Sequence, residues 1–232
     1  MTLPTVILPG YLAGAAPYQG MVRQLNDRGI PTTTVPLTRR DWWPTLGGQS
    51  MGPILQKLDQ TVQAVRQSTG AEQVNLVGHS AGGWIARIYL GEKPYAVHAP
   101  DLARRNVWAA HAQVATLITL GTPHTSQERW TRRNLDFVNN TYPGAFYPGI
   151  TYLCVAGQAI YGQRWRQWFT FNSYTITCGT GACWGDGITP ISAAHLAGAN
   201  NLVFEGVHHS PQPGVTWYGT QEVVERWAEY LK

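Results

Sequence analysis

The segment Val74-Asn75-Leu76-Val77-Gly78-His79-Ser80-Ala81-Gly82-Gly83-Trp84-Ile85-Ala86-Arg87 sets one serine between two glycines where an apolar run gives way to a helical pattern. A Gly-x-Ser-x-Gly run arises by chance in a chain with 25 glycines, so the weight lies in its context of strand before and helix after. Small flanking residues let a sharp, strained turn pass close to its neighbours, which lifts the Ser80 hydroxyl above a sheet edge. A hydroxyl there, at a helix N-terminus that favours a developing oxyanion, is placed for nucleophilic attack on an acyl carbonyl. It needs a base to take its proton and an acid to fix the base's tautomer. His79 is adjacent, but neighbours on such a turn point apart, so it reads as packing or polar support. Downstream, His208 and His209 leave an apolar run just before the last helical stretch. The acid candidates are Asp186, held between Gly185 and Gly187, and Asp136.

Those groups are far apart in sequence, so the elements between them must bring them together. Short apolar or β-branched runs recur at 5–8, 32–35, 74–77, 117–120, 152–155 and 202–204, separated by helical spacing at 18–28, 53–67, 81–90 and 221–231. Continuous apolar runs alternating with helices predict a parallel sheet covered on both faces, an α/β class. In the second helix Ile54, Leu55, Leu58, Val62 and Val65 share a stripe, Pro53 suits its first turn and Gly70 its stop. Three Trp-, Tyr- and Arg-rich stretches near 91–115, 123–149 and 157–185 break the alternation; they read as insertions that shape a substrate site.

At 232 residues with no repeat or linker-like tract, the chain is expected to be one domain over 1–232. Only 13% of residues are charged, and ten Trp with eleven Tyr exceed what so small a domain can bury, which predicts an exposed aromatic face for apolar or amphiphilic ligands. The net charge of +4 comes from fourteen Arg and three Lys, with Arg doubled at 39–40, 104–105 and 132–133. That excess is too small and scattered for nucleic acid, though such pairs could meet anionic head groups. The N-terminal residues lack the basic stretch and apolar run of a secretory signal, and no run reaches the length of a membrane span. A soluble, cytoplasmic monomer, with peripheral membrane contact open to it, is therefore expected. Cys154 falls in a predicted strand; Cys178 and Cys183, five apart among glycines, leave a local bridge or a metal clip conceivable, but a closed metal site lacks evident partners. No metal or cofactor is expected.

The strand–Gly-x-Ser-x-Gly–helix segment resembles the α/β-hydrolase superfamily, and from Val6 onward the chain is similar to its compact lipases and esterases, without their first two strands. Leu8-Pro9-Gly10-Tyr11, Gly121-Thr122-Pro123-His124, Gly185-Asp186-Gly187 and His208-His209-Ser210 also resemble lipase-like relatives of the GPI inositol-deacylase group. The resemblance implies an α/β-hydrolase fold of about six mostly parallel strands, and the order nucleophile, acid, base. It favours Asp186 over Asp136 as the acid and His209 over His208 as the base. The oxyanion hole would use the backbone amides of Ala81 and Tyr11, with Leu12 second; Pro9 stands where the superfamily usually carries histidine. His124, after a strand end, reads as structural. The implied activity is a carboxylic ester hydrolase of lipid metabolism acting on a small-molecule or acyl-lipid-like substrate, with no cofactor. A thioesterase, amidase or acyltransferase would use the same three residues, and a non-catalytic binding protein could reuse the scaffold.

Overall fold

Strands apolar at nearly every residue are stable only with both faces covered, and the chain meets that demand with a six-stranded parallel sheet. The computed structural model describes residues 2–99, 101 and 106–232; Arg104, Arg105 and part of the 91–115 stretch lie outside them. The sheet strands are β1 (Thr5–Leu8), β2 (Thr32–Thr34), β3 (Val74–His79), β4 (Val114–Leu120), β5 (Thr151–Gln158) and, after the short antiparallel pair β6 (Ile160–Tyr161) and β7 (Trp184–Gly185), β8 (Asn200–Glu205). Their order is β2-β1-β3-β4-β5-β8, with every neighbouring pair parallel.

Alternation of side chains along the strands divides the core in two. Ile7, Val77, Ile118, Leu153 and Val155 face one side, packed with Met21 and Leu25 of α1 (Gln19–Asp27) and Val224 and Trp227 of α7 (Gln221–Ala228). Val6, Leu8, Leu76, Leu117 and Cys154 face the other, under α2 (Gly52–Thr69), α3 (Ala81–Leu90) and α4 (Arg129–Thr141). The remaining helices, α5 (Trp168–Cys178) and the single turn α6 (Ile191–Ala194), belong to the carboxyl edge. In α2, Pro53 occupies the first turn and Gly70 stops the helix in the left-handed region at φ 70°. Among the described residues no helix is long and apolar enough to cross a membrane.

Elements differ from the sequence expectation mainly at their ends. β3 continues through Gly78 and His79, because backbone pairing with Leu8 on one side and Thr119 and Leu120 on the other sustains positions that are not aliphatic. The last helix stops at Ala228, three residues before the predicted Leu231; Tyr230 and Leu231 close it with tighter bonds to Trp227 and Ala228. The 123–149 stretch contains α4, and the 157–185 stretch contains β6, α5 and β7.

Strand order reverses direction between β1 and β3, so the crevice outside their carboxyl ends is a natural site. There α3 lies unusually close to the sheet. A Cβ on Gly78 would come within 2.5 Å of the Gly83 Cα, and one on Gly82 would run into the Leu8 carbonyl oxygen. Since backbone atoms cannot step aside cheaply, Gly78→Ala is expected to cost at least about 2 kcal/mol, a Tm loss of roughly 4–8 °C. Gly20→Ala, whose added methyl meets nothing within 4 Å, should leave Tm unchanged or raise it slightly; thermal denaturation of the pair separates the two cases.

Candidate active site

Ser80 is the residue through which β3 turns into α3, and its backbone sits at φ 52°, ψ −125°, a conformation that costs a non-glycine residue about 1–3 kcal/mol. The turn is held by Ser80 N–H donating to Leu120 O at 2.9 Å and Gly83 N–H donating to Ser80 O at 3.1 Å. This presents Oγ to the His209 ring, with Nε2 at 3.0 Å. His209 lies in the loop after β8, and its amide donates to the Asp186 carbonyl at 2.9 Å. Its Nδ1 lies 2.7 Å from Asp186 Oδ2. Ser80, His209 and Asp186 thus form one hydrogen-bonded line across three loops.

Asp186 follows β7 and is fully enclosed. Its Oδ1 accepts the amides of Ile188 at 3.0 Å and Thr189 at 2.7 Å, while Oδ2 also accepts the Tyr218 hydroxyl at 2.8 Å. Burial alone would raise its pKa, but the His209 imidazole and the two amides outweigh it and hold the carboxyl below the usual range. Tyr218 is pushed the other way, well above its ordinary value, by burial and the carboxylate beside it, so its hydroxyl stays a donor. The phenol oxygen in turn accepts the Gly157 amide at 2.8 Å.

A second line runs behind the serine. Gly10 N–H donates to the Tyr18 hydroxyl at 3.0 Å, that hydroxyl lies 2.7 Å from His79 Nδ1, and His79 Nε2 lies 2.9 Å from the His209 carbonyl. A neutral ring with hydrogen on Nε2 satisfies every partner: it accepts from Tyr18 and donates to His209 O. Burial, followed by the neighbouring His209, lowers the His79 pKa to about 3, which keeps the ring neutral. His79 therefore supports the backbone of His209 and, through Tyr18, the start of the loop after β1. That loop is fixed from above by Trp42, whose indole donates to Ala13 O at 2.9 Å. Leu12 within it adopts φ 58°. Among the described residues the amides of Tyr11, Leu12 and Ala81 donate to no protein acceptor.

Ser80 borders two cavities. One, of about 500 Å³, is walled by Met51, Trp84, Leu135, Trp168, Phe169 and Ile176. The other, of about 610 Å³, is lined by the 10–14 loop with Arg39, His79, His209 and Ser210. The remaining sequence candidates lie elsewhere. Asp136 is exposed on α4 and pairs with Arg132 at 3.4 Å. His208 bonds by its amide to Thr216 O. His124 is buried against Arg87, Thr119 and Cys154, and burial and the Arg87 cation hold its pKa well below 6.5, as suits a structural side chain.

Sequence reasoning does not find Tyr218 or Tyr18. Tyr218 stands in Val215-Thr216-Trp217-Tyr218-Gly219, where nothing local tells that its hydroxyl reaches back 32 residues to a carboxylate. Tyr18 is legible only as an apolar position opening a helix.

Residues 48–142 match the family model of the PGAP1-like alpha/beta domain. Over its whole length the chain superimposes on solved α/β structures of low sequence identity. Est1E from Butyrivibrio proteoclasticus matches at 12% identity and TM-score 0.55, covering 98% of this chain and 88% of that one. An alpha-beta serine hydrolase homologue from Coxiella burnetii matches at 13% and 0.54, covering 100% and 86%. The monoacylglycerol lipase of Paleococcus ferrophilus matches at 12% and 0.53, covering 99% and 95%. Strand order, the strained turn after β3 and these likenesses give the chain the α/β-hydrolase fold.

Proposed function

We propose that the protein cleaves carboxylic esters of acyl-lipid-like substrates through a covalent acyl-enzyme on Ser80. The observation that carries this is the unbroken line Ser80 Oγ–His209 Nε2 and His209 Nδ1–Asp186 Oδ2, at 3.0 and 2.7 Å, opening onto an apolar cavity. His209 takes the Ser80 proton as Oγ bonds to the acyl carbon. Asp186 keeps hydrogen on Nδ1 and stabilises the imidazolium. The carbonyl oxygen, now negative, is received by the amides of Ala81 and Tyr11, which have no acceptor among the described residues, at the N-terminus of α3. Collapse expels the alcohol, which takes the proton from His209. Water, deprotonated by the same ring, then releases the acid and restores Ser80.

The two cavities divide the substrate. A leaving alcohol must stand where His209 can protonate it, and His209 lines the second cavity and not the first. The acyl chain therefore goes to the Trp- and Phe-walled side. Around that mouth Trp130, Trp168 and Phe169 are 61, 69 and 67% exposed, and Trp165, shortly before Trp168 in sequence, is 91% exposed. Arg129, Arg132, Arg133, Arg164 and Arg166 stand among them in sequence. Aromatic rings beside cations suit the boundary of an anionic lipid layer, which supports peripheral membrane contact.

A phosphonate ester probe should label the wild type and not Ser80→Ala. Ser80→Ala and His209→Ala should each lose roughly 10⁴-fold or more in kcat/KM on an acyl ester; equal labelling of wild type and Ser80→Ala would sink the proposal. Across a panel of matched esters, thioesters and amides, esters should turn over fastest. Trp165→Ser should weaken sedimentation with anionic vesicles several-fold while turnover of a soluble short ester holds steady. Acid stability carries a further signature. His79 binds its proton near pH 6.5 when unfolded but only near 3 when folded, so its contribution is complete above about 6.5 and fades as pH falls toward 3. Chemical denaturation between pH 6.5 and 4 should show stability falling in the wild type more steeply than in His79→Gln, by up to about 1.4 kcal/mol per pH unit.

A further inference from the structure

The 157–185 stretch brings two thiols together at the end of a helix that walls the apolar cavity. Cys178 is the last residue of α5, the helix that brings Trp168, Phe169 and Ile176 to the cavity. Cys183 immediately precedes β7, the strand that delivers Asp186. Both thiols are free and half-buried. They share one acceptor, the Thr180 carbonyl, at 3.3 Å from Cys178 Sγ and 3.5 Å from Cys183 Sγ. The backbone between them is pinned. Gly179 caps α5 in the left-handed region, with its amide on Thr175 O at 2.9 Å. The Cys183 carbonyl accepts the Gly162 amide at 2.9 Å, and the Tyr161 hydroxyl donates to Ala182 O at 3.1 Å. The third cysteine, Cys154, is buried in β5 against His124.

We propose that Cys178 and Cys183 are a covalent modification site, a dithiol that closes into an intramolecular disulfide and clamps the end of α5 to the strand leading into Asp186. The geometry carries this: two sulfurs held at one carbonyl oxygen by a loop with pinned ends are already neighbours, within reach of the bond that side-chain rotation would close. The oxidant is a small-molecule disulfide of the glutathione type. One thiolate attacks it, forming a mixed disulfide and releasing one small thiolate. The second cysteine's thiolate then attacks the protein-bound sulfur and releases the other. Two protein thiols become one S–S bond, the oxidant becomes two thiols, and the two protons pass to those leaving groups.

The test equilibrates the full chain with mixtures of reduced and oxidised glutathione, quenches with acid, denatures, and counts thiols by maleimide labelling and intact mass. Under reducing conditions three labels are expected. Under oxidising conditions a single label should remain, on Cys154, with a peptide map joining Cys178 to Cys183. Because the loop closed is short, oxidation should raise Tm by about 4–8 °C. Cys178→Ser should hold glutathione stably on Cys183, and Cys183→Ser should do the mirror experiment if the first variant folds poorly. Three labels at every redox ratio, separate glutathione adducts on both cysteines, a bridge between chains, or a Tm that does not rise on oxidation would each overturn the proposal. None of these readouts depends on hydrolysis, so they stand apart from any failure of the Ser80 reading.

Discussion

Asp186 is a carboxylate sealed from water, and the architecture of the carboxyl edge follows from keeping it charged there. A buried charge is stable only if its partners replace the lost hydration, which otherwise costs several kcal/mol. Four donors do so: the amides of Ile188 and Thr189, the Tyr218 hydroxyl and the His209 ring. Those donors come from the turn after β7, the approach to α7 and the loop after β8, so the anion ties together segments otherwise joined by isolated backbone bonds such as His208 N–H to Thr216 O and His209 N–H to Asp186 O. The same anion fixes the tautomer of His209 and so leaves Nε2 free to face Ser80.

The opposite wall of the crevice is organised by sterics. Glycines at 78 and 82 let α3 settle onto β1 and β3, and the strained conformation of Ser80 is sustained because the packed helix and strand leave no relaxed alternative. His79 joins the two walls. It accepts from Tyr18, which holds the loop after β1, and donates to the carbonyl of His209. A neutral imidazole suits this place because it offers one donor and one acceptor on opposite sides of a rigid ring, where an amide or hydroxyl would need mobile geometry to span the gap.

Much of this was legible in the chain because it rests on local chemistry. Sheet strands announce themselves by short apolar or β-branched runs, α2 by its stripe between Pro53 and Gly70, and the turn at Ser80 by glycines whose absence of a Cβ is itself the requirement. Asp186 and His209 could be proposed from flanking glycines and from position before the final helix. Resemblance to a known superfamily was still needed to prefer them over Asp136 and His208. The partners that complete the site were not legible. Tyr18 and His79 are 61 residues apart, His79 and His209 are 130 apart, and a hydroxyl's destination depends on how helices dock, which no pattern of period two or 3.6 encodes. Strand ends were missed for a similar reason: Gly78 and His79 are strand residues because their neighbours across the sheet pair with them.

The seam at Ser80 between two unlike cavities has a kinetic meaning. If the acyl chain rests among Trp84, Leu135 and Phe169 while the alcohol occupies the loop-lined side, departure of the first product empties one chamber without disturbing the other. The vacated chamber is then the doorway through which the next nucleophile reaches the carbonyl. On the proposed acyl-enzyme route release would be ordered, alcohol before acid, and the choice between water and a second alcohol as acceptor would be made by competition for that doorway, independently of how the chain is gripped.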